Sequence, residues 1–308
     1  MPLSFNSPIY VLAPLAGYTD LPFRSVVKKF GADLTISEMI SSNALTHGSK
    51  KSIKMLEKNE NEDPYAIQIA GAEVSVVKEA VEYLNRQDGI DIIDLNAGCP
   101  VPKVVSHGSG SSLLKDLGLF KEIIQTIKVT SNKSMTSVKV RIGFEDKYPT
   151  DIAIAAQEAG ADFIAIHGRT RAGKFKAAVD YDAIREAKAA VSIPVIANGD
   201  ITDFDKAKWV LEYTKADGIM IGRGAIGNPW IFYQLKHDTK EVSRDIRREI
   251  VLEHYDKMIE FYGERGVAMF RKHLHTYSKG LKGAAAFRQA VNVENDVEKT
   301  RTILDSFF

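Results

Sequence analysis

A short apolar run followed by a helix-like stretch recurs eight times, and this alternation constrains the fold more than any other feature of the chain. The strand candidates are Ile9–Ala13, Leu34–Ser37, Tyr65–Ala70, Ile90–Leu95, Thr136–Ile142, Phe163–His167, Pro194–Ala197 and Gly218–Ile221. Helical periodicity marks Glu73–Asn85, Leu117–Val129, Asp151–Ala159, Asp180–Ala190 and Asp203–Tyr213 between them. Thr150, Asp180 and Thr202 stand where helix-capping residues belong. Eight such units over about 230 residues predict an α/β fold of the (β/α)8 TIM-barrel type. A doubly wound sheet is the alternative, but it usually has fewer strands and a GxGxxG turn after the first. Here the first strand runs into Pro14-Leu15-Ala16-Gly17. After Leu235 the pattern turns wholly helical (Ile246, Ile250, Leu252, Tyr255, Met258, Ile259, Tyr262). The expected organisation is a barrel domain over 1–238 and a small helical domain over 239–308.

Composition narrows the setting. One cysteine in 308 residues leaves no intramolecular disulfide framework and fits a reducing, cytoplasmic location. No apolar run reaches the roughly 18 residues of a membrane span, and the N-terminus lacks the features of a signal peptide. The net charge of +1 points to no partner, but its distribution does. From Arg265 through Val293 there is no acidic residue, while Arg265, Arg271, Lys272, Lys279, Lys282 and Arg288 are present. Such a stretch is either a phosphate-binding footprint or a solvated basic helix face.

A barrel of this kind carries its active site at the C-terminal ends of its strands. Those ends here hold Gln68 in QIAG, Asn96 and Cys99 in DLNAGCP, Lys139 and Arg141 in KVRIG, and His167-Gly168-Arg169. Asn198-Gly199-Asp200 and Gly222-Arg223-Gly224 complete the set. A lysine inside VKV and a glutamine inside IQI break the expected run of Val, Ile and Leu, and burying either without a partner costs several kcal/mol. Each alone could be a satisfied core residue; six polar exceptions at one end of successive strands are hard to explain that way. The glycine-containing turns after strands seven and eight suit a phosphate group, with Arg223 adding a fixed charge. An amide and an ammonium beside that site suit a flavin ring, whose edge offers carbonyl oxygens and ring nitrogens. Gln68, Lys139 and the backbone at Pro14–Ala16 would then meet the ring. No HExxH or Cys/His cluster supports a metal, and His273-x-His275 points its two side chains to different helix faces. Cys99 alone could be a small buried hydrophobe; its place on the Gly98-Cys99-Pro100 turn at a strand end argues for a functional role.

These segments together resemble the tRNA-dihydrouridine synthases. The resemblance rests on LAPLAGYTDLPFR, SEMI, QIAG, DLNAGCP with KVVSHGSGSSLL, VKVRIG, IHGRT, IANGDI, DGIMIGRGAIGNPWIF and RKHLHTYSKGLKGAAAFR, and it spans essentially the whole chain in order. GRGAIGNPWIF leans toward the bacterial B-type group. Leu15, where Met is frequent, and Ser278, in a stretch often more aromatic, are small departures. The resemblance implies FMN at the barrel mouth, touched by Pro14, Leu15, Ala16, Gln68, Lys139, His167, Asn198, Asp200, Gly222 and Arg223. It implies Cys99 as the catalytic acid and Asn96 beside the substrate uracil. An ordinary thiol, with a pKa of about 8.5, is protonated at pH 7 and suits that role. It also implies reduction of the C5–C6 bond of uridines in tRNA, mainly in the D-loop, with NADPH or NADH as reductant. The uracil would be flipped into the pocket. Arg141 and the basic helical residues Arg271, Lys272, Lys279 and Arg288 would hold the tRNA, with Arg169 and Arg171 adding phosphate contacts near the mouth. The competing readings are another FMN-dependent barrel oxidoreductase, resembling dihydroorotate dehydrogenase and acting on a small pyrimidine, a cofactor-free phosphosugar or indole-phosphate barrel enzyme, and an RNA-binding module without activity.

Overall fold

The computed structural model describes residues 3–308. Its strands are β1 (Ile9–Leu12), β2 (Leu34–Ile36), β3 (Ile40–Ser41), β4 (Tyr65–Ala70), β5 (Ile92–Ala97), β6 (Met135–Arg141), β7 (Phe163–His167), β8 (Val195–Asn198) and β9 (Gly218–Ile221). All pair in parallel, in the order β2-β1-β9-β8-β7-β6-β5-β4, and a β2–β4 pairing closes the ring. This is the expected eight-stranded barrel. Each predicted strand is present, shifted by at most two residues at an end. The unexpected piece is β3, which resumes pairing along β4 after β2 breaks at Ser37–Met39. That break brings Met39 into the barrel mouth.

Strand parity decides what fills the barrel. Successive side chains alternate between its inside and its outside. One parity (Ile67, Ile69, Ile93, Leu95, Val138, Val140, Ile164, Ile166) packs outward against the helices. The other parity (Ile9, Val11, Leu34, Ile36, Ala66, Ile92, Phe163, Ala165, Ile196, Met220) forms a separate apolar cluster inside. Phe5 covers the lower end of that cluster, its ring 5.6 Å from Phe163. Emptying one such site, as in Phe163→Ala, costs about 3–5 kcal/mol.

The N-terminal end of the barrel is held by a repeated device. Asp33, Asp91, Asp162 and Asp217 each stand directly before a strand, and these are the second, fourth, sixth and eighth strands of the ring. Each carboxylate accepts from the backbone N–H at the start of the preceding ring strand: Tyr10 at 2.9 Å, Tyr65 at 2.9 Å, Thr136 at 2.7 Å and Val195 at 2.7 Å. Each aspartate N–H donates back to the carbonyl of that same residue, at 2.8–3.0 Å. Strand-end groups that would otherwise be left to water are thereby paired.

Helix starts follow capping chemistry, with two adjustments to the sequence reading. Asp180 caps the helix Tyr181–Ala190 by accepting from Ala183 N at 2.9 Å. The helix Phe204–Thr214 is capped by Asp203 and not Thr202, whose hydroxyl supports the Asp203 carboxylate at 2.8 Å. Thr150 lies inside the first turn of Pro149–Glu158, because Pro149 takes the first helical position, where its missing N–H costs nothing.

Residues 237–243 contain no helix or strand and lead into the helices Arg244–Tyr262, Arg265–Tyr277, Ala284–Val293 and Val297–Phe307. These enclose their own apolar cluster, including Val251, Tyr255, Met258, Phe270, Leu274 and Leu304. They rest on the barrel helix Leu21–Lys29, where Phe23 lies 5.2 Å from His254 and 5.5 Å from His273, ring to ring. Tyr262 Oη donates to Asp20 Oδ2 at 3.0 Å, and the Lys272 ammonium donates to the Gly17 carbonyl. Among the described residues no helix is long and apolar enough to cross a membrane.

Candidate active site

The inside parity changes character as each strand rises. Ala66 is followed by Gln68, Ile92 by Asp94 and Asn96, and Met135 by Ser137, Lys139 and Arg141. Ala165 is followed by His167 and Ile196 by Asn198. The register places these groups side by side: Gln68 against Asp94, Asp94 against Ser137, Asn96 against Lys139, Arg141 against His167, and His167 against Asn198. Above the apolar cluster a cleft of about 580 Å³ opens at the mouth. Pro14, Leu15, Ala16, Gln68, Asn96, Cys99, Lys139, Arg141, His167, Asn198, Asp200, Gly222 and Arg223 all line it.

At the β4–β5 wall, Gln68, Asp94 and Ser137 are fully enclosed. Gln68 Nε2 donates to Asp94 Oδ2 at 2.6 Å, and Ser137 Oγ donates to Asp94 Oδ1 at 2.6 Å. Burial pushes the Asp94 carboxyl up to about 6, against the lowering effect of those two bonds and of Lys139. Asn96 Oδ1 accepts from Cys99 N at 2.9 Å and Gly98 N at 3.2 Å, which folds the turn back on the strand. The Cys99 carbonyl accepts from Ser111 N and Oγ, at 3.1 and 2.8 Å. Gly110 lies against this turn with φ at +62°, and a Cβ there would stand 2.9 Å from the Cys99 carbonyl oxygen. The segment after the turn is therefore packed onto it by backbone contact.

Along the adjoining strands β6 to β9 the cations gather. Lys139 Nζ donates to Asn198 Oδ1 at 3.1 Å, and Asn198 Nδ2 donates to the Met220 carbonyl at 2.7 Å. Burial, then Arg141, pull the Lys139 ammonium down to about 8. The His167 imidazole is held far below its usual range by burial, then by Lys139, Arg141, Arg169 and Arg223. It is neutral at pH 7, and its buried Nδ1 has no partner among the described residues. Arg141 donates to the carbonyls of Gly98, Thr170 and Lys174 at 2.8, 2.9 and 3.0 Å, tying the Cys99 turn to the loop after β7. Asp200, with φ at +43°, pairs with both Arg169 and Arg223, the latter at 2.8 Å. The N–H groups of Arg223 and Gly224 open a 3-10 turn and donate to no other described residue. Gly224 is required there, since a Cβ would stand 2.0 Å from the Ile201 carbonyl oxygen.

The basic residues expected to hold nucleic acid have different surroundings. Arg271 donates to the carbonyls of Val291 and Glu294 and to Asn295 Oδ1, at 3.0, 2.9 and 2.8 Å. Lys272 binds Gly17 and lies 5.1 Å from the Tyr18 ring centre. Lys279 is exposed and Arg288 half-buried. Arg169 is engaged by Asp200 and the Ala177 carbonyl, and Arg171 lies over the Phe144 ring at 4.9 Å. Among the described residues no three His, Cys, Asp or Glu side chains are placed to share a metal ion.

Two mouth residues, Met39 and Phe175, and one residue enclosed beneath the mouth, Asp94, are absent from the site predicted above. Met39 is placed by the strand break. Asp94 was detectable, since it shares the parity of Asn96 two residues on. Phe175, 51% exposed, lies 4.7 Å from the Arg223 guanidinium and 5.4 Å from that of Arg141. Nothing in RAGKFKAAV marks it, because an irregular loop has no period from which to read a direction.

Comparison with known proteins agrees with this architecture. The family model described as dihydrouridine synthase (Dus) matches residues 11–308. A probable tRNA-dihydrouridine synthase of Helicobacter pylori strain J99 is 52% identical over 96% of this chain and 91% of its own length. One from Rickettsia bellii is 44% identical over 93% of this chain and 90% of its own. The tRNA-dihydrouridine synthase B of Pasteurella multocida is 39% identical over 96% and 92%. Among solved structures, that of TcOYE with pHBA has a TM-score of 0.57 at 9% identity, covering 82% of this chain and 94% of that one, a likeness of fold alone. With its barrel, its polar mouth and a family match over nearly its whole length, this chain belongs to the dihydrouridine synthase family.

Proposed function

We propose that the cleft binds FMN and that the protein reduces the C5–C6 bond of uridines in the D-loop of tRNA, in the cytoplasm, with NADPH or NADH as the source of electrons. One observation carries the reading. A single cleft gathers the lone cysteine of the chain, three amides, a half-buried lysine and a neutral histidine beside a glycine turn, whose N–H groups meet no described acceptor, and an arginine.

The residues fit a phosphorylated, oxygen-edged ring. His167 Nδ1 is buried without a partner among the described residues, and Lys139, which has three N–H donors, uses one on Asn198. The N–H groups of Arg223 and Gly224, with the Arg223 guanidinium, suit a phosphate. When bound, FMN supplies the hydride that goes to C6 of the uracil ring. Lys139 and Gln68 hold the polar edge of the ring system, and Lys139 remains mostly protonated at pH 7 with its value near 8. Pro14, Leu15 and Ala16, which line the cleft from the loop after β1, would contact the ring. Asn96 orients the uracil, and the Cys99 thiol gives its proton to C5. His167, neutral, donates or accepts a hydrogen bond and carries no charge into the site. Lys279 and Arg288 supply charge to the surface on which the tRNA lies, while Arg141, enclosed at the mouth, holds the Cys99 turn against the loop after β7.

The purified protein is expected to be yellow, with a flavin absorbance spectrum, and tRNA from cells lacking it is expected to lose dihydrouridine at defined positions. A colourless protein that takes up no FMN overturns the reading.

A further inference from the structure

The buried carboxylate Asp94 has no part in the chemistry above, yet it stands at one end of a hydrogen-bonded chain that reaches the Cys99 turn. Gln68 Nε2 donates to Asp94 Oδ2 at 2.6 Å, Asn96 Nδ2 donates to Gln68 Oε1 at 2.7 Å, and Asn96 Oδ1 accepts from the N–H groups of Gly98 and Cys99. The two amides are symmetric in shape, and either could in principle be turned over. Their ends forbid it. A carboxylate only accepts, and a backbone N–H only donates. Turning Gln68 sets its oxygen against Asp94 and its NH2 against the NH2 of Asn96. Turning Asn96 as well sets that NH2 against the donors at Gly98 and Cys99. With Gln68, Asp94 and Ser137 enclosed and Asn96 nearly so, no water relieves such a mismatch.

We propose that Asp94 is a positioning residue that fixes the orientation of both amides, so that this wall of the cleft offers N–H groups to its ligand. Gln68 Oε1 and Asn96 Oδ1 are taken within the chain, and each amide keeps one N–H to give. The N–H that Asn96 has left, beside the base, accepts a ring edge that presents carbonyl oxygen, as uracil does at C4, and repels one that presents an amino group there, as cytosine does. This rests on the reading of the cleft as a uridine site. It adds the origin of the selectivity: the identity of the base is set from beneath the site by a carboxylate the substrate never touches.

A charge exchange along the chain tests it. Asn96→Asp puts a carboxylate oxygen against Gln68 Oε1; Gln68 cannot turn, because Asp94 holds the other side. Adding Asp94→Asn lets the whole chain reverse. The new amide at position 94 then donates to Gln68, and Gln68 donates to the new carboxylate at position 96. That carboxylate still accepts from Gly98 and Cys99. Asn96→Asp alone is expected to lower the thermal midpoint by more than about 5 °C, and the double variant to regain at least about half of that loss. The double variant is also expected to lose about a hundredfold in dihydrouridine formation, because its wall now carries an acceptor at position 96. Additive losses in the melting cycle, failure of both variants to fold, a single variant as stable as the wild type, or a double variant with wild-type turnover each overturn the proposal. If the wild type itself forms no dihydrouridine, the uridine reading falls, while the melting cycle still decides whether Asp94 sets the polarity of the chain.

Discussion

At the N-terminal end of the barrel, Asp33, Asp91, Asp162 and Asp217 pair with strand N–H groups, and their own N–H groups are returned to the same partners. At the C-terminal end, among the described residues, Lys139 has one bond for three donors, His167 Nδ1 has none, and the N–H groups of Arg223 and Gly224 meet no acceptor. The same eight strands supply both ends. Polar groups at the first end complete one another and contribute to stability; those at the second are held in place by the fold but left incomplete. An unpaired buried polar group costs about 1–3 kcal/mol, so the mouth is the part of the molecule that a ligand can stabilise most. This division matches the general separation of stability and chemistry between the two ends of such barrels.

The largest effects should therefore come from the mouth and leave the fold alone. Cys99→Ala is expected to reduce dihydrouridine formation by about 10²–10⁴-fold while FMN still binds and is still reduced by NADPH. Wild-type turnover by that variant would remove the thiol from the mechanism. Lys139→Met separates the two ends by pH. The folded-state value of Lys139 lies near 8, below the ordinary 10.5. The unfolded chain therefore holds more protons between those values, and stability rises with pH across that window. Below pH 8 the half-buried, partly desolvated charge opposes folding in full. The methionine variant should be inactive yet more stable than the ligand-free wild type at pH 7 by roughly 1–3 kcal/mol. The advantage should shrink as pH climbs through 8 to 10.5. Denaturant melts at pH 7 and pH 10 check this; an equal difference at both would show that Lys139 is not the titrating group.

The opposite substitution belongs to the other end. Asp91→Ala leaves Tyr65 N without its acceptor and is expected to lower stability by about 1–3 kcal/mol, read as a lower denaturation midpoint. FMN affinity should stay within about twofold, since the site lies at the far end of the strands. A parallel loss of flavin affinity would mean that the two ends are not independent.

How much of this was legible depends on whether a pattern is local. The barrel was readable because a short apolar run and a helix-like stretch alternate eight times. Gln68, Asn96 and Lys139 stood out as polar breaks at strand ends; Asp94 shares the parity of Asn96, and the pairing Gln68–Asp94 follows once the register of β4 and β5 is known. The aspartate ring was half visible: Asp162 and Asp217 stand at helix-to-strand turns, but their acceptor role needs strands that are distant in sequence. Charge counting served least well in the helical region. Arg271 and Lys279 look alike in a sequence, yet the first is bound by two carbonyls and an asparagine and the second is exposed. What a cation faces is a tertiary property that composition does not carry.

Phe175 gives the smallest effect and the finest division between the two ends. Its ring lies over the guanidinium groups of Arg223 and Arg141 on the exposed side of the mouth. Cation–π contacts at exposed sites contribute about 0.5–1 kcal/mol each. Global stability should therefore be nearly unchanged in Phe175→Ala, because the ring is half exposed and covers no core. The loss should appear as affinity, roughly two- to fivefold per contact, in FMN titration if the ring fixes Arg223 and in the KM for tRNA if it meets the substrate directly. Phe175→Leu and Phe175→Tyr sort the cause. Tyrosine keeps the π face and leucine keeps only apolar area, so a defect in leucine that tyrosine lacks assigns the effect to the arginines. Equal behaviour of leucine and wild type would reduce Phe175 to an apolar cover. A drop in the melting midpoint in any of the three would place this loop with the self-completed end of the barrel instead of the mouth.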